Sequence, residues 1–288
     1  MKKSHSGEKL YRFFVLTALI ALAVTVLVPV LWVILSSVKD NSEFYQSPWA
    51  FPENPDFSNF SKAWESANMG SYFLNSAVVT ALSLSILFLT AVPCAYVLSR
   101  FQFKARRALK VLFMAGLFIN VSYLVIPIFL MLVDINSLIG YPLLTNNRLI
   151  LAVIYAATAL PFTIYLLSGY FESIPRDYEE AAALDGCSNT RTLLQIIVPM
   201  ARPALITALL FNFLSFWNEY IIAITLMTDD RAKTLPVGLM NLMKAQNAAA
   251  QYGKMYAGLV IVMLPTLILY IILQKKLTEG LSGTGVKG

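Results

Sequence analysis

Six stretches of this chain carry almost nothing that water would hold. They are residues 13–35, 72–98, 111–133, 149–170, 204–227 and 255–273, and Glu219 is the only charged side chain among them. A helix needs roughly 20 residues to cross a hydrocarbon core about 30 Å thick, and each run meets that length. In lipid every backbone N–H and C=O must find its partner inside the protein, which a helix supplies within itself. The sequence therefore predicts an all-α polytopic membrane protein with six transmembrane helices. Composition agrees: 58% of residues are hydrophobic and 13% charged, whereas a soluble domain carries about a quarter charged residues.

The charges between the runs set the orientation. Lys2, Lys3, Lys9 and Arg12 precede the first run, Arg100, Lys104, Arg106, Arg107 and Lys110 follow the second, and Lys275 and Lys276 follow the sixth. The positive-inside rule then puts both termini in the cytoplasm. Residues 39–71 are polar, broken by Pro48, Pro52 and Pro55, and acidic through Asp40, Glu43, Glu53, Asp56 and Glu65, as an external segment would be. A second external segment holds Asp134, Asn136, Gly140, Pro142, Asn146 and Asn147. The connection 228–254 is external by parity, although Arg231, Lys233, Lys244 and Lys254 outnumber Asp229 and Asp230; it is too polar for a seventh span. The first run is too long for a cleaved signal peptide and has no small-x-small site before Lys39. The net charge of +6 follows from this topology and implies no nucleic acid. We read residues 1–288 as one transmembrane domain, with a first span at 13–35, a core at 72–273 and a cytoplasmic loop at 173–203.

That loop has a pattern of its own. Ser173 or Ile174 suits a helix cap before Pro175 in the first turn, Gly186 suits the left-handed position that ends a helix, and Ser188 suits the cap of a second helix running to Pro199. Glu180-Ala181-Ala182, three residues, Gly186, nine residues, Ile196, one residue, Val198 and Pro199 resembles the loop signature of the membrane subunits of bacterial ABC importers. Val198 is the one departure, where that family usually has Leu. The resemblance implies that the loop is a coupling helix seated in a groove of an ATP-binding subunit, with Glu180, Ala181, Ala182, Gly186, Ile196 and Pro199 as the coupling residues. The chemistry is reasonable, since Ala181 to Ala183 let two backbones approach and Glu180 offers a carboxylate to a basic partner.

The resemblance extends over nearly the whole chain. Phe73-Leu74-Asn75-Ser76, Ala159-Leu160-Pro161-Phe162, Phe216-Trp217-Asn218-Glu219-Tyr220 and the tail Gly283-Thr284-Gly285-Val286-Lys287-Gly288 are similar to the carbohydrate branch of these importers, in particular to the shorter permease of maltose-type and multiple-sugar-type systems. It implies a type I ABC importer permease fold, a second homologous permease subunit, two ATP-binding subunits, an extracytoplasmic solute-binding protein and a sugar as the solute.

Polar residues inside the runs are candidates for a passage. Asn212, Ser215 and Glu219 are spaced three and then four apart and would share one helix face, with Trp217 and Asn218 nearby; Asn120 and Tyr123 would share another. An ionisable residue within a span marks a functional site by default, and amides, a carboxylate and an aromatic ring suit a sugar. The other reading is that such residues hold helices together by hydrogen bonds. Trp32, Tyr72 and Tyr141 near span ends suit interface anchors. No P-loop is present, because Gly253-Lys254 is followed by Met255, so ATP belongs to a partner subunit and no cofactor is expected here. With one histidine, His5, and two scattered cysteines, Cys94 and Cys187, the chain offers no metal site, disulfide framework or catalytic constellation. Two other functions compete: a permease for another solute class, and an ion-coupled carrier using Glu219. Against the carrier, the two halves show no internal repeat and the loop signature would have no role.

Overall fold

A computed structural model describes residues 5–66, 68–249 and 251–282. The tail motif from Gly283 to Gly288 and Lys2 and Lys3 lie outside the described residues. Among the described residues all regular structure is helical. In chain order the helices are α1 (His5–Ser37), α2 (Asn41–Gln46), α3 (Ser58–Ser66), α4 (Met69–Arg100), α5 (Arg106–Gly116), α6 (Val125–Ile139), α7 (Arg148–Ser173), α8 (Asp177–Leu184), α9 (Asn189–Thr192), α10 (Val198–Met200), α11 (Arg202–Trp217), α12 (Ile221–Leu226), α13 (Leu235–Ala249) and α14 (Tyr252–Ser282). A 3₁₀ turn at Val121–Tyr123 precedes α6, and a π turn at Leu193–Ile197 joins α9 to α10.

Four helical segments are long and apolar enough to cross a membrane: Tyr11–Ser37, Met69–Arg100, Arg148–Ser173 and Tyr252–Gln274. A fifth is counted if Asn189–Met200 and Arg202–Trp217, bent by 79°, form one span. The stretches expected as third and fifth spans are interrupted, for local reasons. Asn120 accepts the Ser122 N–H through its side chain at 3.0 Å, a turn that competes with the helix, and Pro127 in the first turn of α6 has no N–H to give. Gly116 ends α5 against α7, where an added Cβ would lie 2.8 Å from the Pro161 ring. Further on, the Glu219 carboxylate accepts the Ile222 and Ala223 N–H groups at 2.7 and 3.0 Å, starting α12 afresh and leaving α11 only 16 residues long, about 24 Å at 1.5 Å per residue. The polar connection 228–254 holds the 15-residue α13.

Contacts divide the chain into two compact units, one of residues up to Met69 with Leu239–Met263, the other of Gly70–Gly238 with the chain from Leu264 onward. In the second unit α7 packs against α5 and α11. Its core is rich in alanine: Ala91 and Ala95 on α4, Ala152 and Ala156 on α7, and Ala201, Ala204 and Ala208 before and along α11 are all buried. Lipid is as apolar as leucine, so helices in a bilayer associate by close packing, and small side chains permit it. Tyr72, expected as an interface anchor, is buried, and a Cβ on Gly238 would fall 2.0 Å from its ring.

In the first unit α1 exposes most of its apolar side chains from Tyr11 to Leu31. Its end is tied down by polar groups. Lys39 is fully buried and its Nζ donates to the carbonyls of Ser47 at 2.8 Å and Pro48 at 3.2 Å. Asn59 donates to the carbonyls of Ser37 and Lys39, and Trp32 donates to Pro48 O at 3.0 Å, so Trp32 is bonded within the protein. Gly253 packs on this knot, where a Cβ would meet Lys39 O at 2.3 Å and Asn59 Nδ2 at 2.6 Å. Both obstacles belong to a hydrogen-bonded pair that cannot yield without breaking. Gly253→Val is expected to cost more than the about 1–3 kcal/mol typical of overpacking, read as a fall in folded yield and in detergent melting temperature; an unchanged melting temperature would show that α14 does not seat here.

Candidate functional site

Pro175 lies between helices and Arg176 occupies the cap position of α8 without a side-chain bond, so the cap expected at Ser173 or Ile174 gives way to α7, which runs through Ser173 and ends at Ile174. Asp177, Glu179 and Glu180 fill the first turn of α8, where negative charge meets the positive end of the helix dipole. Its other end is a Schellman closure: Cys187 N–H donates to Ala182 O at 2.9 Å and Gly186 N–H to Ala183 O at 3.1 Å, with Gly186 at φ +76°. Ser188 caps the next helix by accepting the Arg191 N–H. That helix passes Pro199 by one residue, because the π turn upstream redirects Val198 N–H to Leu193 O and the missing proline N–H falls at the start of α10.

Helical periodicity splits the loop signature between two faces. Ala182 is buried, and Glu179, three residues earlier, turns the same way with its side chain 18% exposed. Glu180, Ala181, Ala183 and Gly186 are exposed, and Leu184 is 90% exposed. Ile196 and Pro199 are half-buried. The outward face is thus an acidic residue beside small and apolar ones, a surface that suits a basic groove. The inward face is fixed by Arg100, whose Nε lies 3.1 Å from Glu179 Oε1 and which donates to Ile174 O at 2.8 Å. Neither Arg100 nor Glu179 was singled out by the loop signature, although the i, i+3 pairing of Glu179 with Ala182 would have marked it as inward-facing.

The polar residues expected along a passage are distributed unequally. Ser215 and Glu219 line a hollow of about 140 Å³ together with Ser122, Tyr155 and Thr158. Glu219 is bonded through both oxygens, since besides the two N–H groups of α12 it accepts the Tyr155 hydroxyl at 2.6 Å. Asn212 is buried and donates to Thr163 Oγ1 at 3.0 Å and Ala208 O at 2.7 Å, holding α11 to α7. Trp217 is buried, stacked on Phe213 and edge-on to Phe73. Asn218 is exposed and bonds back to Leu214 O. Asn120 and Tyr123 are exposed, the first capping the 3₁₀ turn and the second ending it, and share no α-helix face. Tyr155 and Thr163, the partners that fix Glu219 and Asn212, carried no signal in the sequence. A larger hollow of about 620 Å³ lies between α5, α7 and α11, away from all of these residues.

Residues 89–277 match the family described as binding-protein-dependent transport system inner membrane component. The diacetylchitobiose uptake system permease protein NgcG of Streptomyces coelicolor is 37% identical over 92% of this chain and 85% of that protein. The melibiose/raffinose/stachyose import permease protein MelC of Bacillus subtilis is 31% identical over 91% of each chain. Among solved structures, a chain of a bacterial ABC transporter involved in the import of the acidic polysaccharide alginate superimposes with a TM-score of 0.79 and 25% identity over 96% of this chain and 99% of that one. Helices of membrane length, a short helix that exposes Glu180 and Ala181 and these likenesses over most of the chain lead to one family: this chain belongs to the binding-protein-dependent transport system inner membrane components and is a multi-pass permease subunit of an ABC importer in the inner membrane.

Proposed function

We propose that this permease imports a sugar or short oligosaccharide, and that it is driven through α8 by an ATP-binding subunit. The observation that carries the second half is the exposed face of α8, held rigidly between a charged first turn and the Gly186 closure. The first half is supported by relatives named for diacetylchitobiose and for melibiose, raffinose and stachyose. In this reading α5 and α6 form one broken span and α11 with α12 another, giving six spans with both termini in the cytoplasm. The chain works beside a second homologous permease, two ATP-binding subunits and an extracytoplasmic binding protein. Glu180, Ala181, Gly186, Ile196 and Pro199 form or support the docking elbow, with Ala182 packing it inward. Ser215 and Glu219 border the passage near Asn120 and Tyr123, while Asn212, Trp217 and Asn218 shape its wall. An ion-coupled carrier has less support, because the Glu219 carboxylate is already committed to three donors.

Competition by a panel of mono-, di- and trisaccharides against uptake by the reconstituted complex tests the solute. The reading expects one sugar class to compete in the presence of ATP and none to be taken up without it; ATP-driven uptake of an amino acid or phosphate alone would overturn it. A charge-assisted hydrogen bond is worth about 1.5–3 kcal/mol. Glu180→Ala is therefore expected to weaken capture of the ATP-binding subunit about tenfold or more, measured by co-purification at graded salt. Unchanged capture would remove Glu180 from the contact.

A further inference from the structure

We propose that Arg100 and Glu179 form the mechanical link through which the coupling helix moves the second span, a role that rests on the importer reading above. The loop signature and chain connectivity tie α8 only to α7 before it and α9 after it. The side chains add a third attachment. Arg100 is the last residue of α4, and its side chain is 6% exposed. One edge of its guanidinium faces Glu179 on α8 at 3.1 Å, and another donates to Ile174 O, the residue that ends α7, at 2.8 Å. Tyr96, one turn earlier on α4, faces the same carboxylate. The guanidinium therefore joins the ends of α4, α7 and α8 through one hydrogen bond, to Ile174 O, and one buried charge contact, in which Arg100 Nε and Glu179 Oε1 face each other without hydrogen-bond geometry; a Lys could keep the charge contact but has no second edge for the carbonyl.

The neighbouring connection is braced the same way. Arg106 donates to the carbonyls of Leu98 at 2.8 Å and Ser99 at 3.1 Å, closing the end of α4, and lies 3.8 Å from Glu172 near the end of α7. Lys110 on α5 pairs with the same Glu172 at 2.5 Å. Glu172 at the end of α7 and Glu179 on α8 are thus held by three cations, Arg100 ending α4 and Arg106 and Lys110 on α5. A buried ion pair is weak evidence for stability, since an apolar pair of similar size often serves folding as well. Its use here is to make α8 and the end of α4 one body. A pull on α8 is then delivered to the second span at the same moment as to the fourth.

The test uses the assembled complex with its binding protein in proteoliposomes. Arg100→Met and Glu179→Gln are expected to lower solute taken up per ATP hydrolysed at least fivefold, and Arg100→Lys to recover it to within about threefold of wild type. The double variant Arg100→Met with Glu179→Met leaves no charge unpaired, so it is expected to assemble normally and still couple poorly. Spin labels at Val97 and Leu184, both exposed, with Cys94 and Cys187 replaced by serine, report the link directly. Their separation is expected to stay constant between nucleotide-free and ATP-trapped wild type and to spread in Arg100→Met. A separation that shifts with ATP in wild type, or full coupling in the assembled double variant, overturns the link while leaving the importer reading intact. Wild-type complex that hydrolyses ATP and takes up no solute overturns the importer reading, and the link with it.

Discussion

Replacing Gly186 with valine is expected to lower ATP-driven uptake at least about tenfold while the permease still inserts and binds its homologous partner. Gly186 sits at φ +76°, and an added Cβ would meet nothing within 4 Å, so the penalty is conformational and not steric crowding. The left-handed region costs an ordinary residue roughly 1–2 kcal/mol, and more for a β-branched one, for which positive φ is an outlier. Escaping that strain means breaking the Gly186 and Cys187 N–H bonds that close α8, worth about 0.5–1.5 kcal/mol each. Either way the elbow loses the single geometry on which docking depends. Gly186→Asn is the control, because asparagine visits this region readily, and it is expected to stay within about threefold of wild type. Full uptake by an assembled Gly186→Val complex would detach the turn from coupling.

The second large effect concerns Glu219. Its carboxylate accepts the Tyr155 hydroxyl and two backbone N–H groups, and Tyr155 is fully buried. Glu219→Ala leaves three donors without an acceptor, at about 1–3 kcal/mol for each that stays dry. The expected result is a large fall in melting temperature and folded yield, with α12 no longer held at its start. Glu219→Gln keeps one acceptor oxygen and is expected to fall between wild type and alanine. Tyr155→Phe removes only one donor, from a bond to a charged group, and is expected to cost about 1.5–3 kcal/mol. If Glu219→Ala kept its melting temperature and lost only uptake, the carboxylate would serve the solute and not the fold.

Much of the fold and the elbow could be read from local chemistry. The apolar run at 149–170 gave α7 to within a few residues because nothing interrupts it; Pro161 is absorbed within the helix. Gly186 and Ser188 were legible since a left-handed closure and a serine cap are properties of the residue itself. The breaks in the third and fifth runs were not, and with the second of them goes the single helix face expected for three polar residues. The spacing of Asn212, Ser215 and Glu219 places them on one face only if a helix runs through all three, yet α11 stops at Trp217. Glu219 starts α12 while also lining the small hollow, and Asn120 caps the 3₁₀ turn before α6. Arg100 lay beyond reach for another reason, since its partners Ile174 and Glu179 are brought to it by tertiary packing across 74 and more residues.

Cross-linking from the elbow in the intact complex tests the central claim most directly. Single cysteines replace Ala181, Leu184 and, as a control at the end of α6 on the opposite side in the proposed topology, the exposed Leu138, in a background where Cys94 and Cys187 are serine. A short bifunctional reagent and identification of the product by mass then follow. The account predicts bonds from positions 181 and 184 to an ATP-hydrolysing subunit and none from position 138. Efficient capture of that subunit from position 138, or none from either elbow position in a complex that transports, would contradict it.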